Sequence, residues 1–163
     1  MARQFSVPAQ LPPIMLLQPQ ADAAGRTSAY RSLRDCLKGW VIVHINQGNA
    51  APVTLSLLQA TSVSGAGSKA LLNTTPIWCN ANTGASDSYV KQTAAMSFTT
   101  DVGTNDKVVI FEIQPESCLD VGNFFNSIAV VTSASNVANI TEATLMFLGS
   151  IQGATLPNSY TDV

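Results

Sequence analysis

The chain has 163 residues, of which 46% are hydrophobic and only 11% charged. That length suits one domain with a real core, but the charge content falls well below the roughly 25% usual for soluble proteins. Eight Lys and Arg stand against ten Asp and Glu, so there is too little basic charge to bind nucleic acid by broad phosphate neutralisation.

The basic residues Arg3, Arg26, Arg31, Arg34 and Lys38 fall early and are diluted by Asp22 and Asp35, while Lys69, Lys91 and Lys107 stand singly. No run approaches the roughly 20 apolar residues that span a membrane as a helix. No signal peptide is expected, because no long apolar run follows Arg3. A surface with so few charges suits a protein covered by neighbours in an assembly. The plainer alternative is a monomer made soluble by Asn, Gln, Ser and Thr.

Residues 1–28 read as an extended arm. Pro8, Pro12, Pro13 and Pro19 alternate with glutamines, and proline both removes a donor and restricts its predecessor. The arm also carries Phe5, Val7, Leu11, Ile14, Met15, Leu16 and Leu17, more apolar area than a disordered tail holds. These seven residues are the candidate interface. They are expected to lie along another surface, either the chain's own domain or a neighbouring subunit.

Residues 29–150 read as the folded domain. Tyr30 to Leu37 fits a short capped helix or a strand. Trp40 to Asn46 is a strand, followed by a turn at Gln47-Gly48-Asn49-Ala50. Val53 to Ala60 alternates as a half-buried strand does, and Ser62 to Ser68 is a Gly/Ser turn. Ile77 to Asn80 is a short strand, and Val90 to Thr99 alternates weakly. Lys107 to Ile113 is the plainest strand in the chain. Phe124 to Thr132 and Ile140 to Leu148 complete the set, and residues 151–163 read as an irregular tail. Seven or eight strands without intervening helical stripes predict an all-β fold, an antiparallel β-sandwich with a jelly roll among its candidate topologies.

Candidate chemistry is sparse. His44 is the only histidine; acting as a base it would need a carboxylate or thiol beside it in a concave pocket. Cys36, Cys79 and Cys118 are widely spaced and read as free, buried thiols rather than zinc ligands or a disulfide framework. Asp101 and Asp106 flank a turn too sparse in oxygen ligands for a calcium loop. Glu116 and Asp120 would pair only if their loop folds them together. Ser64-Gly65-Ala66-Gly67-Ser68 lacks phosphate-loop spacing. Glu112 and Glu142 interrupt apolar strands, which predicts either a solvated sheet face or a basic partner. Trp40 and Trp78 read as core anchors, with an exposed carbohydrate-stacking pair as the alternative. No catalytic residue, metal or cofactor is expected.

One resemblance rests on Trp40-Val-Ile-Val-His-Ile-Asn-Gln-Gly-Asn-Ala-Ala-Pro-Val-Thr-Leu-Ser-Leu-Leu-Gln-Ala-Thr61. With it go Pro76-Ile-Trp78, Val108-Val-Ile-Phe-Glu-Ile-Gln-Pro115, Leu119-Asp120 and the segment from Phe124 to Val131. Spread over about residues 30–150, these patterns resemble a family of small tailed-bacteriophage proteins encoded near the capsid genes. The resemblance implies a structural virion protein that binds and stabilises the capsid shell as decoration or cement. Its partner would be the major capsid protein, its own state a homo-oligomer with a trimer favoured. Its place would be the capsid surface of the virion, assembled in the host bacterial cytoplasm. Two alternatives stand beside this. One is a glycan-binding sandwich using Trp78, Tyr89 and Tyr160; the other is a tail-tube or connector-associated protein.

Overall fold

The computed structural model describes residues 11–149; Phe5, Val7 and the expected tail at 151–163 lie outside the described residues. Two antiparallel sheets pack face to face as a β-sandwich. The first runs β1 (Ile14–Ala21), β12 (Asn139–Gly149), β4 (Cys36–Gln47), β10 (Asp106–Ile113), β7 (Thr75–Asn80) and β8 (Val90–Ala95), in that spatial order. The second runs β2 (Arg26–Thr27), β11 (Ser127–Thr132), β5 (Thr54–Ala60) and β6 (Lys69–Ala70), with β3 (Arg31–Ser32) also on β11 and β9 (Ser97–Thr99) also on β5.

The strand alternation places the core. Val41, Val43 and Ile45 of β4, Val109, Phe111 and Ile113 of β10, and Ala143 and Leu145 of β12 are fully buried. They meet Leu55 and Leu57 of β5 and Ile128 and Val130 of β11 in one cluster. Each such side chain contributes on the order of 1.5–3 kcal/mol by leaving water. The weakly alternating segment at 90–99 splits in two because β8 belongs to the first sheet and β9 to the second. The loop after β10 carries a four-residue helix, α1 (Pro115–Cys118), with proline in its first turn, where the missing N–H costs nothing.

The sandwich begins earlier than residue 29, which corrects the expected boundary of the arm. Residues 14–21 form β1, an edge strand paired only with β12. The register shifts between Met15 and Leu17 and again between Leu17 and Gln20. The first shift turns the consecutive Leu16 and Leu17 both inward, to 8% and 6% exposure. The second accommodates Pro19, which an edge strand or bulge tolerates because no ladder donor is needed there.

An ionic clasp fixes this strand. Asp22, fully buried, pairs with Arg26 at 3.1 Å and accepts a hydrogen bond from the Thr141 hydroxyl. The same guanidinium donates to the carbonyls of Gln18 (2.9 Å), Gln20 (3.1 Å) and Thr141 (2.7 Å). Arg26 lies on β2 of the second sheet, so one side chain ties β1 and β12 to the opposite layer. Gln18 falls within the second register shift, where the ladder to β12 is interrupted, and Gln20 is the residue at which pairing resumes.

Candidate interaction surface

The outer face of the first sheet carries the most concentrated unexplained chemistry. Antiparallel sheets with one solvated face normally alternate apolar and polar residues. Here many of the outward positions are apolar too. Reading across the strands, Met15 lies opposite Thr144, Thr144 opposite Ile42, Ile42 opposite Ile110, Ile110 opposite Trp78 and Trp78 opposite Lys91. One step along, Met146 faces Trp40 and Trp40 faces Glu112; one step the other way, Glu142 faces His44 and His44 faces Val108. Ile42, Ile110, Trp40, Trp78, Met146 and Val108 are only half-buried, although their neighbours in the same strands are fully buried.

Charged side chains frame this patch, and each is held. Lys38 donates to Glu112 at 2.6 Å, and the Trp78 indole N–H donates to the other carboxylate oxygen at 2.9 Å. The hydrogen bond from Lys38 is the main reason the Glu112 carboxyl titrates below its usual range; the Trp78 bond adds to it and burial opposes it. Lys38 also lies 5.6 Å from the centre of the Trp40 ring, and Lys91 lies 5.8 Å from that of Trp78, within reach of cation–π attraction. At the far side His44 Nδ1 sits 3.5 Å from Glu142. Glu112 and Glu142 therefore mark the outer sheet face, as one of their two sequence readings has it. The tryptophans are surface groups stiffened by lysines rather than core anchors.

The remaining candidates resolve individually. His44 has a carboxylate beside it, but on a flat sheet face, and it lines neither the cleft of about 410 Å³ at the end of the sandwich nor the smaller one beside Glu112. Burial pushes the Cys36 thiol up to about 12, with Cys118 adding to the shift, and pushes Cys118 itself up to about 11. Cys79 is raised as well, by burial and then by Asp101. Thiols so shifted hold almost no thiolate near neutrality. Asp101 caps its turn through the Gly103 N–H at 2.8 Å and meets the buried Lys107 ammonium at 3.2 Å, which is turn chemistry. Asp120 engages Lys69 at 2.6 Å and Asn123 at 2.8 Å, the Lys69 bond being the main reason its carboxyl is held low; Glu116 lines the end cleft. Among the described residues no three His, Cys, Asp or Glu side chains gather as a metal site.

Of the expected interface, Leu16 and Leu17 lie in the chain's own core and Ile14 packs against it. Leu11 is half-buried, and Met15, 47% exposed, joins the outer face. Tyr89 is exposed near the β8 edge, and Tyr160 lies outside the described residues. Sequence reasoning missed Ile42, Ile110 and Met146 as surface groups. Comparisons with protein-family models, curated proteins and solved structures find no match for this chain.

Proposed function

We propose that this chain is a structural assembly protein that docks onto a larger protein surface through the outer face of its six-stranded sheet. One observation carries the reading. The row from Met15 through Ile42 and Ile110 to Trp78 is apolar except for Thr144 and half-open, and it is rimmed by charges that are already satisfied. Contiguous apolar patches with a polar rim mark protein contact sites. An apolar centre with tryptophans and a salt-bridged rim has the composition of an interface core. The low overall charge agrees with a chain that spends its working life covered by neighbours.

The resemblance to small tailed-phage proteins supplies the setting. In that setting the partner is the major capsid protein, the location is the outer surface of the virion head, and the role is that of a decoration or cement protein. A glycan-binding role would use the same two tryptophans, but Lys38 and Lys91 lie over their rings and Glu112 already takes the Trp78 N–H. That leaves less of the aromatic faces for a sugar, and protein docking is the better supported reading. The test is co-sedimentation of the purified chain with undecorated phage shells. Saturable binding is expected; failure to bind at any concentration overturns the capsid setting.

A further inference from the structure

A second surface lies at the end of the sandwich where β4 begins and β12 finishes. Its cleft of about 410 Å³ falls within the range of about 300–1,000 Å³ typical of binding sites. The walls are largely apolar, with Leu33, Leu37, Leu119 and Val121 among them, and the charged residues Arg34, Asp35 and Glu116 also line it. Leu37 and Val121 remain about half exposed, at 54% and 48%.

Beside the cleft stands Phe124, 81% exposed, with its backbone in the left-handed region at φ 66°. A bulky residue rarely adopts that conformation, and unexpected strain of this kind clusters at functional positions. The turn holding it is firm. Phe124 N–H donates to the Val121 carbonyl at 3.0 Å, Phe125 N–H to the Asp120 carbonyl at 3.2 Å, and Asp120 is tied to Lys69. Phe125 turns inward and lines the cleft while Phe124 points out. The ring is thus a preorganised knob next to an apolar hole, so little ordering would be lost when it is covered.

Charge completes the picture. Arg26, Lys38, Lys69 and Lys107 have carboxylate partners, and Lys91 has the Trp78 ring. The Arg34 backbone N–H donates to the Ser32 hydroxyl at 3.2 Å, but among the described residues neither the Arg34 guanidinium nor the Glu116 carboxylate has an ion pair or hydrogen bond. The cleft lining therefore offers one cation, Arg34, and two carboxylates, Asp35 beside it in the chain and Glu116 distant from it in sequence.

We propose that this end cleft is a self-association site that receives Phe124 of a second copy of the chain, with Arg34 of each copy meeting Glu116 of the other. Knob and hole are neighbours on one surface, so a two-fold arrangement can fill both clefts reciprocally. This contact is separate from the outer sheet face and does not depend on the capsid setting.

The experiment is sedimentation equilibrium on the full chain and four variants: Phe124→Gly, Arg34→Glu, Glu116→Arg, and the last two combined. Glycine accepts the left-handed backbone, so Phe124→Gly keeps the fold intact while removing the knob. The wild type should form a concentration-dependent dimer that Phe124→Gly weakens at least tenfold. Each charge reversal should weaken it, and the double reversal should restore it. A wild type that stays monomeric overturns the proposal. So does a Phe124→Gly variant that associates like the wild type, or a double reversal no better than the singles. Shell binding is read in a different assay, so loss of this proposal leaves the docking reading standing, and the converse holds.

Discussion

Replacing Asp22 by alanine should cost this protein more than any surface change of the same size. The carboxylate is fully buried and serves both Arg26 and the Thr141 hydroxyl. Its loss strands a guanidinium that is only 14% exposed and leaves a buried hydroxyl without its acceptor. Breaking a buried ion pair by removing one partner costs about 3–5 kcal/mol. Arg26 would keep the carbonyls of Gln18, Gln20 and Thr141, which places the cost near the lower end, about 3 kcal/mol. That is a large part of a total stability of roughly 5–15 kcal/mol. Equilibrium urea unfolding measures it, and amide exchange locates it. The midpoint should fall with the slope unchanged, and protection should drop first in β1, which the clasp ties down. A loss below about 1 kcal/mol, the scale of an exposed pair, would refute the assignment of the clasp as the element that holds β1 in the sandwich.

Three further outcomes follow from the same geometry. Glu112→Gln should lower stability at pH 7 by about 1 kcal/mol, a charged hydrogen bond discounted for partial exposure. Because the folded carboxyl titrates below the unfolded value of 4.5, that contribution is complete above that pH and vanishes as acidification passes through the folded value. Wild-type and variant unfolding curves should therefore converge in acid, and a gap that persists there would contradict the sign. Thiol titration at pH 8 should find Cys36 and Cys118 nearly inert in the native protein and all three cysteines reactive after unfolding; labelling of either residue at the unfolded rate would contradict its burial. Gly48→Ala should cost about 1–3 kcal/mol by overpacking, since a Cβ there would come within 2.5 Å of the Ala138 carbonyl oxygen; an unchanged melting temperature would count against that close approach.

Much of the fold was legible because the strands obey simple rules. β5 alternates Leu55 and Leu57 against Thr54 and Ser56, and its inner and outer faces follow that pattern. β1 escaped notice because Pro12, Pro13 and Pro19 read as breakers. Two prolines precede the strand and the third sits in a register shift on an edge, where proline is permitted. The outer face was hidden for a different reason. In Val108-Val-Ile-Phe-Glu-Ile113 both the inward and outward positions are apolar except Glu112. A run of that kind specifies a strand but not which side is covered. Only the register of β10 between β4 and β7 separates Val109 and Phe111, inside, from Val108 and Ile110, outside. Phe124 carries no signal in sequence at all, since nothing about phenylalanine predicts a left-handed backbone.

Ile110 occupies the middle of the outer face, between Ile42 and Trp78, and there it offers the most direct test of the docking surface. Ile110→Lys places a charge in the centre of the patch while its aliphatic stem still covers part of the strand surface. Co-sedimentation with undecorated phage shells should show binding weakened at least tenfold, with the urea midpoint close to that of the wild type. Shell binding that is undiminished in this folded variant would contradict the claim that the chain docks through this face.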